Sequence, residues 1–323
     1  MAEPRPPDRP GTAEPGPPGP QPAGGLPAPR PHAPRPARPR EAAPCPGGGR
    51  GPVGRAADGL RAYGLIVAMW IRSTMAYRLS FAMTLLTNLV ANFFDFVVIL
   101  LMFGHVRGLG GFAFGEVAFL YGTTSTAFGL ADLAVGQVGK VGRRVRDGTL
   151  DTFLVRPAPV LAQVAADRFA LRRLGRLAQG LLVLVWSLAA LEGVEWTPLK
   201  ALMVPLTVVT GAVIFGSLMT AGAAFQFWAQ DAAEVANSFT YGGNTLLQYP
   251  PSIFAGELVR GVVYVVPLAF VNWVPALYVL GREAPAGLPP WAAFASPAVA
   301  AVCAVLAGLA WRAGIRSYRS TGS

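Results

Sequence analysis

The feature that most constrains this sequence is a series of long apolar stretches with few charges. Most of them reach the roughly 20 residues that a helix needs to cross the ~30 Å hydrocarbon core of a bilayer. The chain is 53% hydrophobic and only 14% charged, whereas soluble domains carry about 25% charged residues. We therefore predict an integral membrane protein with an all-α, polytopic fold.

The apolar stretches predict six transmembrane helices, and both flanks of this region are basic, which is typical of the cytoplasmic side. The predicted spans are 80–103, 115–136, 177–191, 201–224, a span from about 235 that Pro250-Pro251 breaks after 249, and 291–310. With both ends cytoplasmic, the number of crossings must be even. We therefore expect the proline-containing stretch 259–280 to be an outer re-entrant segment before the last helix, covered by protein or water.

Two segments of different character precede the first span. Residues 1–58 hold 18 of the 30 prolines, cannot bury an apolar core, and are expected to form a disordered Pro/Gly/Arg-rich tail. Residues 60–79 place Arg61 and Arg72 at nearly the same helix azimuth and carry Tyr and Trp, which favour the headgroup region. We expect an N-terminal interfacial helix there, or alternatively a cytoplasmic extension of the first span.

A strongly basic segment, Lys140 to Arg176, separates the second span from the third. It holds nine Lys/Arg and three Asp, and a short loop of this kind is expected in the cytoplasm. Gly148-Thr149 interrupts the chain, and an apolar stripe at helical spacing follows until Pro157 stops it. The stripe consists of Leu150, Phe153 and Leu154, and its charged neighbours are Arg146, Asp147, Asp151 and Arg156. We interpret it as a docking helix for a soluble partner, or alternatively as a helix resting on lipid.

Two spans carry polar side chains along one face, and an ionisable residue within a span is a functional hypothesis by default. The candidates for a substrate path are Asn88, Asn92 and Asp95 in the first span and Asn237, Tyr241, Asn244 and Gln248 in the fifth. The alternative is hydrogen bonding between helices, worth about 0.6 kcal/mol per contact. Asp132 lies near the cytoplasmic end of the second span, where we expect it to pair with Arg143 or Arg144.

The sequence contains no motif for catalysis. A phosphate loop, a G-x-S-x-G turn and an H-E-x-x-H helix are all missing. The two cysteines and two histidines do not have the spacing of a metal site. We therefore expect no catalytic residue, no metal and no cofactor on this chain, and no enzyme activity. The net charge of +10 comes from arginines at the span ends and does not indicate nucleic-acid binding.

Three segments carry a resemblance to a known family. They are VRDGTLDTFLVRPAPVLAQV (145–164), YPPSIFAGELVRGVVYVVPLAFVNWVPALYVLG (249–281) and the terminal YRSTGS. Together with the predicted order of spans, they resemble the permease subunit of a type-2 ABC exporter. They are similar to the bacterial multidrug-type permeases assigned to viologen and daunorubicin export. The resemblance covers residues 60–323.

The resemblance implies a permease subunit of an ATP-driven exporter in the bacterial plasma membrane, with both termini cytoplasmic. Separate ABC ATPase subunits would bind ATP and Mg and push on the helix around Gly148 to Pro157. Leu150, Phe153 and Leu154 would fill an ATPase groove, and the charges of Arg146, Asp147, Asp151 and Arg156 would set the register. Gly148 and Thr149 belong to the same coupling segment. A second permease chain, identical or related, would complete the transporter. Residues 59–323 would form the permease domain, with 137–176 as its coupling loop, and the exported substrate would be hydrophobic or amphipathic.

Two other functional classes remain open. One is an ion-driven secondary transporter, and the other is a membrane assembly protein that transports nothing. Secondary transporters usually show broken helices at matching positions of two repeats, whereas the breaks in this chain cluster near its C-terminus.

Overall fold

The computed structural model describes residues 52–105, 108–191, 193–229 and 233–319, with side chains from Ala57 onward. Helices make up most of these ranges and no strand is present in them, so the predicted all-α fold is confirmed. The α-helices are α1 Pro52–Met75, α2 Arg78–His105, α3 Phe114–Val135, α4 Val141–Arg146, α5 Asp151–Leu154, α6 Val160–Ala166, α7 Leu174–Ala190, α8 Pro198–Phe225, α9 Ala233–Asn237, α10 Gly243–Leu247, α11 Gly256–Arg260, α12 Trp273–Leu280 and α13 Ser296–Ser317.

Four stretches of the described chain are long and apolar enough to cross a membrane. They are Arg78–His105, Leu171–Ala190, Pro198–Phe225 and Pro290–Ser317, which contain α2, α7, α8 and α13. The predicted second span coincides with α3, but that helix is less apolar because glycine, serine and threonine fill its middle. The predicted fifth span coincides with α9, a π-helical turn and α10, which together run from Ala233 to Leu247.

The central helix of the bundle is α3, which is buried along most of its length between α7 and α8. Its contact with α7 is antiparallel and close, because glycines occupy the crossing points. A Cβ atom on Gly122 would lie 2.7 Å from the Cα atom of Leu184, and one on Gly180 would lie 2.8 Å from the backbone N of Thr126. Small residues at such positions let membrane helices approach closely, and here they hold α3 and α7 together.

The N-terminal helix α1 is separated from α2 by a turn at Ala76 and Tyr77, so it is a distinct helix, and its interfacial position stays a prediction. It packs along α6, and the Tyr63 hydroxyl donates a hydrogen bond of 2.9 Å to the carbonyl of Ala134 at the C-terminal end of α3. The helix begins at Pro52, within the segment predicted as a tail. The remainder of that prediction, residues 1–51, lies outside the described residues.

Short helices with broken backbone form the region before α13. Pro250 follows the end of α10 in extended conformation, and Pro267 follows a π-helical turn that ends at Val265. The chain breaks at these two prolines, as predicted. Pro275, in contrast, lies in the first turn of α12, where a missing backbone donor costs nothing.

Candidate functional site

A polar cavity of about 250 Å³ lies between α2, α3, α7 and the 233–247 helix. Its lining residues are Asn92, Asp95, Val98, Tyr121, Ser125, Arg176, Gln179, Tyr241, Asn244, Thr245, Gln248 and Tyr249. Two polar rows predicted from separate spans thus meet in one cavity, through Asn92 and Asp95 on one side and Tyr241, Asn244 and Gln248 on the other.

The two other predicted path residues lie outside this lining. Asn88 is half-buried one turn before Asn92, whose side-chain amide donates to the Asn88 carbonyl. Asn237 is exposed and lines a neighbouring hollow of about 30 Å³, together with Asp132 and Gln226. The structure therefore brings five of the seven candidates together.

Arg176, in the first turn of α7, supplies a cation to the cavity. Its Nε donates a hydrogen bond of 3.0 Å to Oδ1 of Asn92. Its guanidinium lies 5.2 Å from the ring centre of Phe128 and 5.6 Å from that of Tyr241, within the range of cation–π attraction. The charge of Arg176 is thus stabilised by an amide and two aromatic rings.

Two further hydrogen bonds connect helices across the cavity wall. Gln179 Nε2 donates to the Tyr121 hydroxyl at 2.9 Å, and Gln248 Nε2 donates to the Ser125 hydroxyl at 3.2 Å. Within the described ranges, the buried side-chain oxygens of Gln179 and Asn244 accept no hydrogen bond. These two oxygens are themselves buried, so they are not exposed to the cavity.

Asp95 projects from the second half of α2 and is exposed in the single chain. It makes no hydrogen bond or ion pair with any residue that the structure describes. Tyr121 and Tyr249 line the same cavity as Asp95. Among the residues that the structure describes, Asp95 is thus a carboxylate in a span without a partner of opposite charge.

The buried side chain of Asn272 connects α3 and α10, two helices that line the cavity. Its Nδ2 donates to the carbonyls of Leu120 at 2.9 Å and Leu247 at 3.1 Å, and its Oδ1 accepts from the Thr123 hydroxyl at 2.6 Å. The next residue, Trp273, donates from its indole to the Tyr249 carbonyl at 2.9 Å. Asn272 lies in a stretch that was predicted as apolar, and its role was not predicted from the sequence. A lone asparagine in a long apolar run was the available signal.

The basic loop between α3 and α7 folds back on itself through α4, α5 and α6. Gly148 has a φ of +63°, a left-handed conformation that glycine adopts without steric cost, and this agrees with the predicted interruption. The exposed residues at the tip of the loop include Arg146, Asp147, Thr149, Leu154, Val155 and Arg156, whereas Asp151 is half-buried.

The apolar stripe of this loop is not a single exposed face, which corrects the prediction. Leu150 is fully buried and Phe153 is 7% exposed, whereas Leu154 is 41% exposed. The Phe153 ring lies 4.9 Å from the guanidinium of Arg144 and 5.6 Å from that of Arg156. Leu150 and Phe153 therefore form the core of the loop, and Leu154 remains on its surface with Val155.

One ion pair connects the basic loop to the C-terminal end of α3, and another lies within the loop. Asp132 pairs with Arg173 at 3.2 Å, so the predicted partners were wrong, and Arg144 instead pairs with Asp167. Lys140 lies in the same region, and burial, followed by the charges of Arg173 and its neighbours, lowers its pKa. This concentration of cations agrees with a cytoplasmic location.

The cavity contains no grouping for metal binding. In the part of the chain that the structure describes, no three His, Cys, Asp or Glu side chains come together in a way that could hold a metal ion.

The chain was compared with protein families, with curated proteins and with solved structures. No curated protein and no solved structure matches it. A family model described as "ABC-2 family transporter protein" matches residues 89–322, which include every lining residue of the cavity and the whole basic loop between α3 and α7. The chain is therefore a membrane-embedded permease that belongs to the ABC-2 transporter family.

Proposed function

We propose that the chain is the permease subunit of an ATP-driven exporter in a bacterial plasma membrane, with both termini cytoplasmic. The six crossings would be α2, α3, α7, α8, the 233–247 helix and α13, and the segment from α11 to α12 would be re-entrant on the outer side. The proline breaks in that segment support this arrangement, because broken backbone at membrane depth needs cover from protein or water.

The observation that carries the proposal is the polar cavity within an apolar helical bundle. Polar and ionisable side chains in membrane spans are costly and mark substrate paths. Here Asn92 and Asp95 from α2 face Tyr241, Asn244 and Gln248 from the 233–247 helix. A hydrophobic or amphipathic molecule would pass along this cavity, with its polar part on these side chains.

A second permease chain, identical or related, would complete the path. Only 11% of the residues in the most apolar part of α2 are buried, compared with 56% for α8. The helix α2 therefore lies at the edge of the single chain. Exposing Asp95 to lipid costs about 3 kcal/mol at the centre of a span. Covering α2 and the exposed Tyr241 with a second copy would turn the open cavity into an enclosed path.

Coupling to ATP hydrolysis would use the cytoplasmic loop. ABC ATPase subunits would bind ATP and Mg, and their groove would receive Leu154 and Val155, with Arg146 and Arg156 beside them. The buried Leu150 and Phe153 keep the loop compact. The ion pair of Asp132 with Arg173 joins α3 to the start of α7. A push on the loop tip would therefore reach two helices that line the cavity.

Copurification tests this function. The full-length chain, extracted from its native cell in mild detergent, is expected to bring down an ABC ATPase, and vesicles containing both are expected to show ATP-dependent substrate export. Transport by the chain alone, driven by an ion gradient, would favour a secondary transporter. A stable complex that contains no ATPase and moves no substrate would favour an assembly role.

A further inference from the structure

We infer that Lys140, Arg143, Arg168 and Arg172 form a binding site for the headgroup of an anionic phospholipid. These four exposed residues, named the basic cluster, lie near the points where the chain enters the basic loop after α3 and leaves it before α7. The inference goes beyond the proposed function, because it concerns a lipid of the surrounding membrane and neither the transported substrate nor the ATPase.

Contacts between the two ends of the loop gather the basic cluster. Arg173 pairs with Asp132 at 3.2 Å, and its Nη1 donates a hydrogen bond of 2.7 Å to the Asp132 carbonyl. These contacts fix the 3₁₀ turn Leu171–Arg173 beside the last turn of α3. After α3 the chain continues directly into another 3₁₀ turn, which ends at Lys140. Arg172 and Lys140 therefore lie at the same end of the bundle.

A strained backbone holds Arg168 at the same end. Its φ is +49°, in the left-handed region that residues other than glycine rarely adopt. The side chain of Gln137, which is 3% exposed, donates a hydrogen bond of 2.7 Å to the Arg168 carbonyl, and Gln137 lies in the 3₁₀ turn that ends at Lys140. Strain of this kind persists where the surrounding structure enforces it, and it concentrates at ligand sites. The buried amide thus fixes the position of this cation.

The cations of the basic cluster lack carboxylate partners. Two nearby carboxylates, Asp132 and Asp167, already pair with Arg173 and Arg144. Among the residues that the structure describes, none forms an ion pair with a member of the cluster. Burial, followed by the charges of Arg173 and other arginines, lowers the pKa of Lys140, as expected where like charges are concentrated. An anion that contacts several of these side chains offsets the repulsion and gains charge-assisted hydrogen bonds.

The position of the basic cluster favours a lipid as the source of that anion. The stretch Leu171–Ala190 is long and apolar enough to cross a membrane, so Arg172 lies in its first turn, at the level of the headgroups. Basic groups at the ends of membrane helices bind anionic headgroups. Further along α7, Leu182 and Val185 are exposed and can contact the acyl chains. The loop tip around Val155, proposed above to receive the ATPase, belongs to another part of the loop.

A matched pair of fluorescent lipids tests the inference. Phosphatidylglycerol and phosphatidylcholine with the same labelled acyl chain differ only in their headgroups. Their binding to the full-length chain, kept in mild detergent with any subunits that copurify and without ATP, is measured by fluorescence anisotropy. We expect phosphatidylglycerol to bind at least about fivefold more tightly, the factor for one Lys or Arg near an anionic headgroup. The preference should shrink as salt is added.

Variants locate the effect in the basic cluster. Lys140→Gln combined with Arg172→Gln is expected to abolish the preference, whereas Arg172→Lys keeps the charge and should retain most of it. The control combines Lys200→Gln with Arg260→Gln, which removes the same charge at the start of α8 and in α11, and should leave the preference unchanged. Thermal unfolding in detergent verifies that each variant is folded.

Equal binding of both lipids to the unmodified chain, or an intact preference in the folded Lys140 and Arg172 double variant, would overturn the inference. Displacement of the bound lipid by an equal concentration of glycerol phosphate would do the same, because it would identify a site for a soluble anion. Loss of ATPase copurification in the double variant, with the lipid preference unchanged, would assign the cluster to the ATPase instead. The lipid assay needs neither ATP nor an ATPase, so its result is independent of the proposed function.

Discussion

Arg282 binds both carboxylate oxygens of Glu116, with Nε donating to Oε1 at 2.9 Å and Nη2 donating to Oε2 at 2.8 Å. The same Nη2 donates to the carbonyl of Gly111 at 3.1 Å, and the guanidinium lies 4.9 Å from the ring centre of Phe112. Glu116 also accepts a hydrogen bond from the backbone of Ala113 at the start of α3. This pair therefore joins the loop after α2, the beginning of α3 and the end of α12.

Arg282→Lys is expected to loosen this junction, because an ammonium cannot reproduce the two parallel hydrogen bonds of a guanidinium. The Arg282 side chain is 42% exposed, so the loss should be about 1 kcal/mol or less. Thermal unfolding in detergent measures the effect. Arg260→Lys, an exposed arginine of α11, serves as the control, and equal shifts in both variants would contradict the prediction.

Asn272→Leu is expected to destabilise the protein by at least about 2 kcal/mol, because the backbone carbonyls of Leu120 and Leu247 and the hydroxyl of Thr123 lose a buried partner. Unfolding in a denaturing detergent provides the measurement. Asn237→Leu removes an exposed asparagine and should have little effect on unfolding. A similar, small change in both variants would show that the Asn272 cluster adds nothing to stability.

Two variants of the basic loop should lose different properties, one the binding of the ATPase and the other the folding of the loop. Val155 is 85% exposed, so Val155→Asp should leave the loop folded but weaken ATPase copurification and ATP-dependent transport. Leu150→Asp places a charge in the loop core, so it should open the loop to trypsin at its arginines. If Leu150→Asp resists trypsin as the unmodified chain does, the buried position of Leu150 is wrong. Full ATPase binding by Val155→Asp would remove the docking role of the tip.

Gly122→Ala tests the packing of α3 against α7. The added Cβ would lie 2.7 Å from the backbone of Leu184, and overpacking of this kind costs about 1–3 kcal/mol. A matched Gly104→Ala adds the same atom on α2, where it meets nothing within 4 Å. The fraction of folded protein recovered after mild heating should fall for Gly122→Ala only. An equal recovery of both variants would argue against close contact at this crossing.

The helical spacing of polar residues in the sequence predicted some of the residues that line the cavity. Asn92 and Asp95 share one face of α2, and Tyr241, Asn244 and Gln248 share one face of their helix, because residues three and four apart are neighbours on a helix. Arg176 and Gln179 were missed, although they too are three residues apart. Their span shows no longer polar row, and only the packing of α7 beside α2 brings them to the cavity.

The arrangement of the basic loop was also predicted only in part. The spacing of Leu150, Phe153 and Leu154 defines a stripe, but it does not decide whether that stripe faces inward or outward. The fold decides, since Arg144 and Gln163 pack around Phe153. The predicted ion-pair partner of Asp132 was wrong for a related reason. The prediction chose nearby arginines, whereas antiparallel packing of α3 and α7 brings in Arg173 from 41 residues along the chain.

The contact between α1 and the C-terminal end of α3 has a mechanical consequence. Because Tyr63 bonds to Ala134 and α1 packs along α6, a displacement of the basic loop during transport would move α1 as well. That helix exposes Leu60, Leu65 and Met69 on its surface, and at the predicted interfacial position these side chains would move through the headgroup layer. The proposed ATP-driven transport should then depend on lipid packing, with slower turnover in tightly packed membranes and faster turnover in loosely packed ones.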